Sequence, residues 1–163
     1  MTEQEVATTA TAQERDQRLR ATLAQIETSW NNLQQALADI PEDRLTQPGA
    51  VGEDWSVKDL IGHIAFWDEQ AVIVAERRIA GEPDRQVDWQ AINEREAAAR
   101  AGRSLADVQA EMRQAHERVL ETVRRSAQLA PDLALGVCGC LAGDTWEHYE
   151  DHAADVRAWR DRR

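Results

Sequence analysis

The stretch that decides the fold is DWSVKDLIGHIAFWDEQ, which spans residues 54–70. Ser56 offers an N-cap, and Asp59 follows three residues later in a capping-box pattern, so a helix is expected to begin at about Val57. We expect this helix to continue to about Ala80, because a glycine and a proline follow closely and both are typical of helix ends.

Three further long helices are predicted on either side of this one. Apolar side chains spaced by three and four residues, the period of an amphipathic helix, predict helices over residues 11–39 and 104–127. A fourth helix is predicted to run from Asp144 to about Arg160. Asp144 is interpreted as its N-cap, with Glu147 in the capping-box position.

The connections between these helices are expected to be irregular, apart from one short helix. Residues 41–55 and 128–143 are predicted to be long loops, and residues 84–103 form a crossover that contains the short helix. Residues 1–11 are polar and small, and are expected to be disordered. Four long helices without a convincing hairpin signal predict an all-α four-helix bundle with a long crossover connection, in one domain that covers residues 1–163.

Length, charge and composition agree with such a domain and exclude several classes of function. A chain of 163 residues buries a sizeable core by itself, and two Cys do not make a disulfide framework. The net charge of −11 repels phosphate backbones and anionic membranes. No apolar run approaches the roughly 20 residues that span a bilayer, and the N-terminus has no signal-peptide pattern. We therefore expect a cytoplasmic protein whose partner is a small-molecule substrate, with no nucleic acid and no membrane. A homodimer stays open.

Three of the four His side chains are predicted to lie at one level of the bundle. His148 and His152 lie one turn apart on the inward stripe of the last helix, and this spacing allows two imidazoles to share a metal ion. His63 lies two turns into its helix and His148 one turn into its own. If both helices begin at the same end of the bundle, the three imidazoles meet and leave open coordination positions, which is typical of a catalytic metal site. An ordinary packed histidine is the alternative for each.

Other candidate residues carry weaker signals, and their alternatives stay open. His116 is expected at the edge of the core, with a place in a pocket as the alternative. Cys138 and Cys140 form a C-x-C in a predicted loop, which offers too few thiolates for a structural zinc site. A redox-sensitive pair is the alternative. Asp68 and Glu69 point away from His63 by helix phase and are expected to be solvated carboxylates, with a general base or a partner of the metal ligands as the alternative.

Three more residues share the inward faces of the helices that carry the histidines. Asp155 lies close to the phase of His152, where a carboxylate can orient a metal-binding imidazole. Trp67 and Trp159 share the histidine stripes. The sequence favours neither the wall of a pocket nor an ordinary core for these two side chains.

The chain resembles the DinB/YfiT-like superfamily over about residues 15–160. One family pattern is W-S-x-x-(D/E)-x-x-x-H-x-x-x-W, which begins here at Trp55 and ends at Trp67. The other is an H-x-x-x-H in the last helix, present here in TWEHYEDHAADVRAWR at residues 145–160. The resemblance implies a four-helix bundle that carries a divalent metal, commonly zinc or nickel, on His63, His148 and His152.

The resemblance also implies a class of reaction. Characterised members of the superfamily include thiol-dependent S-transferases and a mycothiol-dependent maleylpyruvate isomerase. It therefore implies a metal-dependent transferase or hydrolase that acts on a small electrophile, with a low-molecular-weight thiol as a further cofactor. A metal-free small-molecule binding or self-resistance protein is the alternative, since another branch resembles a colibactin self-protection protein. A bundle that works chiefly as an interaction module is the second alternative.

Overall fold

A computed structural model of the chain describes residues 3–83 and 85–162, and the side chains within 11–83 and 85–162. The fold is an all-α bundle with one small two-stranded sheet, as the sequence predicts for its class. In chain order the elements are α1 (Glu3–Leu37), α2 (Glu42–Leu45), β1 (Pro48–Val51), β2 (Trp55–Ser56), α3 (Val57–Ile79), α4 (Trp89–Arg100), α5 (Leu105–Arg125), α6 (Pro131–Cys140) and α7 (Trp146–Asp161). A 3-10 turn, Ser126–Gln128, follows α5.

The long helices α1, α3, α5 and α7 form the bundle, with α3 packed on α5 and α1 packed on α7. Their inward faces supply the core, and burial of each large apolar side chain contributes roughly 1.5–3 kcal/mol relative to exposure. Among the described helices, none is both long and apolar enough to cross a membrane. The largest fully buried side chains of the four helices include Ile26, Leu33, Leu60, Ile64, Val108, Val119, Val123 and Tyr149.

Helix α3 begins and ends as predicted. The Ser56 hydroxyl accepts a hydrogen bond from the Asp59 backbone N–H at 3.2 Å, and the Asp59 carboxylate accepts one from the Ser56 N–H at 2.9 Å. This reciprocal capping box satisfies two amides that the first turn of a helix leaves without partners. After the C-cap at Ala80, Gly81 turns the chain with φ of 72°, a left-handed conformation that glycine adopts without strain.

Three predicted boundaries differ from the structure. Helix α1 begins at Glu3, eight residues before the start predicted at residue 11, and residues 1 and 2 lie outside the described residues. Extension of an existing helix fixes only one residue for each new hydrogen bond, so a helix is more easily lengthened than begun. The predicted loop 128–143 contains α6, and the predicted loop 41–55 contains α2 and the antiparallel pair of β1 and β2.

The start of α7 also corrects the sequence prediction. The helix begins at Trp146, so Thr145 rather than Asp144 occupies the N-cap. The Thr145 hydroxyl donates to the Leu141 carbonyl at 2.6 Å and is thereby turned away from the helix that follows. This hydrogen bond closes the turn that follows α6. Asp144 lies outside the helix and lines a cavity described below.

Candidate metal centre

The imidazoles of His63, His148 and His152 converge at one point between α3 and α7. His148 Nε2 lies 3.0 Å from His63 Nε2 and 2.9 Å from His152 Nε2. The three nitrogens that could bind a metal all lie within 4.8 Å of one another. The structure therefore brings together the same three histidines that helix phase and helix depth select.

The positions of these nitrogens suit binding of one shared cation better than hydrogen bonding between the imidazoles. A neutral imidazole offers either one proton or one lone pair at Nε2. His148 Nε2 faces two other Nε2 atoms, so its single proton or lone pair cannot satisfy both contacts. One positive ion between the three lone pairs would satisfy all of them, and imidazole nitrogens are ligands that suit zinc and nickel.

Burial holds two of these imidazoles in the form that binds metals. Burial, and then the nearby His152 and Arg100, lower the pKa of His63 to about 4. Burial, followed by His152 and His63, lowers the pKa of His148 to about 2. Because a metal competes with protons for the imidazole lone pair, neutral side chains favour metal binding at physiological pH.

A carboxylate orients one member of the cluster. His152 Nδ1 lies 2.9 Å from Asp155 Oδ2, so His152 presents Nε2 to the cluster, as the phase of Asp155 predicts. Such a pairing fixes the tautomer of an imidazole and raises its basicity. His148 differs, because its Nδ1 is buried without a hydrogen-bond partner among the described residues.

The cluster opens into a cavity of about 240 Å³, which we call the histidine cavity. The Trp67 indole N–H donates to Asn93 Oδ1 at 3.1 Å, and this bond joins α3 to α4 across the cavity. Trp67 therefore forms a wall, whereas Trp159 packs in the core under the Arg44 guanidinium. The cavity is lined by His63, Trp67, Trp89, Asn93, Asp144 and His148.

The comparison with protein families agrees with this fold. The sequence model of the DinB superfamily matches residues 25–135, well over half of the chain. The chain belongs to the DinB superfamily. His63 lies inside the matched residues, whereas His148 and His152 lie beyond them.

A solved structure shows the same fold at low sequence identity. An uncharacterised protein from Escherichia coli UTI89 aligns with a TM-score of 0.72 and 16% identity. The alignment covers 88% of this DinB-superfamily chain and 92% of that chain. No curated protein sequence matches the chain.

Asp144 is a site residue of this DinB-superfamily chain that sequence reasoning missed. Its side chain lines the histidine cavity, and burial raises its pKa to about 6. A carboxyl group that titrates near neutral pH can both release and take up a proton. The missed signal is spacing, because Asp144, His148 and His152 follow one another at intervals of four residues.

A buried polar network lies behind the cluster and corrects the prediction for Asp68. The Tyr149 hydroxyl donates to Asp68 Oδ1 at 2.7 Å and lies 3.2 Å from His116 Nδ1. The His116 ring stacks on Trp30, with ring centroids 3.8 Å apart. Asp68 is fully buried rather than solvated, with Tyr149 of α7 packed against it, and burial raises its pKa well above the usual range. His116 belongs to this network and does not line the histidine cavity.

The remaining candidates lie away from the three histidines. Glu69 is half-buried in an ion pair with Arg118. Neither Cys138 nor Cys140 forms a disulfide, and the first is buried while the second is half-buried. They lie in α6 rather than in a loop, so the predicted C-x-C loop is wrong. A C-x-C in a helix directs its two side chains about 200° apart, so they do not form a pair.

Proposed function

We propose that this DinB-superfamily chain is a divalent-metal-dependent enzyme of the transferase or hydrolase type, and that it acts on a small electrophile. His63, His148 and His152 would hold the metal, with zinc or nickel as the ions that best suit three imidazoles. The convergence of the three Nε2 atoms supports this proposal more than any other observation. Three protein ligands leave coordination positions free for reactants.

The residues around the cluster suit such chemistry. A divalent metal, when bound, would polarise a carbonyl and lower the pKa of a thiol or water held beside it. Asp155 holds His152 in the metal-binding orientation. The indole rings of Trp67 and Trp89 line the cavity and give it an apolar wall. Asp144, with a pKa of about 6, can hold or release the proton that the reaction moves.

The second reactant follows from the family resemblance. We propose a low-molecular-weight thiol as the nucleophile in a cytoplasmic setting, which would make the chain a thiol S-transferase. Water in the same position would make it a hydrolase. Both reactions need an electrophile small enough to enter a cavity of about 240 Å³ together with its nucleophile.

Elemental analysis of protein purified without a histidine tag tests the proposal. We expect about one zinc or nickel ion for each chain, and loss of that ion in His148→Ala. His116→Asn is the matched control, because it changes a buried histidine that lies outside the cluster. Native protein that contains no metal, and takes up none at neutral pH, would contradict the proposal and favour the metal-free binding or self-resistance protein.

A further inference from the structure

A second groove leads away from the histidine cavity. Its volume is about 370 Å³, and it shares Trp67, Trp89 and Asp144 with the histidine cavity, so the two spaces adjoin at these side chains. The far part of the groove is formed by the second half of α3 and by the segment that leads into α4. We call it the arginine groove, after Arg77, Arg78 and Arg85 in its lining.

The exposed large apolar side chains of the described residues lie together in the groove. Within residues 11–83 and 85–162, the large hydrophobic side chains that are exposed are Ile73, Val87 and Trp89, at 45%, 36% and 54%. All three line the arginine groove. Exposed apolar side chains that gather in one concave place, rather than singly over the surface, are typical of a binding site.

Basic side chains outnumber acidic ones in the lining of the groove, although the chain as a whole is acidic. The protein carries a net charge of −11, yet three arginines line this groove and Asp144 is the one acidic side chain in its described lining. Glu82 at 2.6 Å offsets the charge of Arg77 and, with the Pro83 carbonyl at 2.9 Å, holds this guanidinium in place. Guanidinium groups beside an apolar wall are suited to bind a carboxylate or another anionic group.

We propose that the arginine groove binds a small molecule with an apolar, ring-bearing body and one anionic group. The apolar body lies between Trp89 and Ile73, and the anionic group lies among the arginines. The opposite end of such a molecule then reaches Trp67 and the histidine cavity. If the bound molecule is the substrate, this opposite end is the reactive end and faces the three histidines. That identification rests on the proposed function.

A pair of probes that differ only in charge tests the binding site. We would titrate the protein by calorimetry with 1-naphthaleneacetate and with the neutral 1-naphthaleneacetamide. Both have the same aromatic body, and we expect the anion to bind at least about fivefold more tightly, as one favourable charge interaction allows. Equal affinity of the two probes would overturn the role of the arginines, and no saturable binding of either up to about millimolar concentration would overturn the site itself.

Single variants locate the bound probe. Trp89→Ala should weaken both probes, because the exposed indole supplies apolar contact, whereas Arg85→Gln should weaken the anion alone by about fivefold. Arg124→Gln is the matched control, since this arginine lies outside the groove and is 53% exposed. Unchanged anion affinity in Arg85→Gln and in Arg77→Gln, or equal losses in Arg124→Gln, would overturn the proposal.

His148→Ala separates this inference from the proposed metal chemistry. We expect the variant to bind the anion with wild-type affinity, because the arginine groove does not use the histidine. Loss of binding in this variant would place the anion on the histidines and overturn the groove assignment. The metal content of the same wild-type sample tests the proposed function independently, so a metal-free protein that still discriminates between the probes would retain the groove proposal alone.

Discussion

The Tyr149 hydroxyl donates a hydrogen bond of 2.7 Å to Oδ1 of Asp68, and neither side chain is exposed to solvent. Tyr149 directly follows His148 on α7, and Asp68 lies five residues after His63 on α3. The contact therefore fastens the two helices beside the point where their histidines meet. A bond that stabilises the core also sets the separation of two proposed metal ligands.

Removal of the Tyr149 hydroxyl should destabilise the fold. Tyr149→Phe leaves both Asp68 Oδ1 and His116 Nδ1 without their buried partner, which costs about 1–3 kcal/mol for each unsatisfied polar group. We expect the free energy of unfolding in urea to fall by at least about 1 kcal/mol.

Asp68→Asn is the informative comparison for Tyr149→Phe. The amide keeps an oxygen that can accept from Tyr149, and it removes the cost of a charged group in a buried place, the cost that raises the pKa of Asp68. We expect this variant to lose less stability than Tyr149→Phe. A greater loss in Asp68→Asn would mean that the second carboxyl oxygen makes an essential contact.

Asp155 should tune metal affinity without being a ligand. Asp155→Asn weakens the hydrogen bond that holds His152 Nδ1 at 2.9 Å, and loss of such a partner typically lowers metal affinity by about 10- to 100-fold. Competition with a chromophoric chelator measures this change. Asp151→Asn is the control, because this exposed carboxylate lies on the same helix next to His152. Equal losses in the two variants would indicate a general charge effect instead.

The bundle should remain folded without its metal. His148 is half-buried near the start of α7, where few core contacts depend on it, and a chain of 163 residues has an apolar core sufficient for folding. We expect His148→Ala to unfold cooperatively, with a modest shift in Tm and with no bound metal. An unfolded variant would assign the histidine a structural role.

The stability of the metal-free protein should depend on pH through His116. Burial, and then Arg124, lower the pKa of His116 from 6.5 to about 4 in the folded state. Below pH 6.5 the unfolded chain binds a proton that the folded chain does not, so stability falls as the pH falls from 6.5 towards 4. His116→Asn removes this loss, which amounts to about 3 kcal/mol at the acid end.

A comparison of the metal-free wild-type protein with His116→Asn isolates the contribution of His116 to this pH dependence. Asp68 and Asp144 act in the opposite direction, because burial raises the pKa of each, that of Asp144 to about 6, and their protonation stabilises the fold as the pH falls. His63 and His148 act in the same direction as His116. All four groups are present in both proteins, so the difference between the unfolding free energies of the two proteins at each pH reports His116. Parallel pH profiles for the two proteins would contradict the prediction.

The sequence predicts those parts of the site that depend on one helix at a time. The capping box of Ser56 and Asp59, and the one-turn spacing of His148 and His152, are local patterns that tertiary structure left unchanged. The match in level between His63 and His148 required only a count of turns from two helix starts. This count succeeds because the bundle places both starts at the same end.

The predictions that were wrong concern features that depend on contacts between segments distant in the sequence. The phase of Asp68 on its own helix points away from His63, but only the packing of Tyr149 against α3 shows that this side is buried. Asp144 has the composition of an N-cap, and the Thr145 hydrogen bond to Leu141 shifts the helix start past it. Helix α6 lacks a side-chain cap and contains two glycines, so local signals favoured a loop.

Helix α4 has no buried side chain, although it supplies one wall of the histidine cavity. Polar contacts hold it to the bundle: Trp67 to Asn93, Lys58 to the Ala101 carbonyl, and Arg100 to Glu111. Segments with little apolar burial open at a lower free energy than the core. Its backbone amides should therefore exchange with deuterium ahead of those of α3 and α5, and sooner still at high salt, which screens the Arg100 ion pair. We therefore expect this wall of the cavity to open more often than α3 and α7, the two helices that carry the three imidazoles, and so to admit ligands without unfolding of the helices that hold the site.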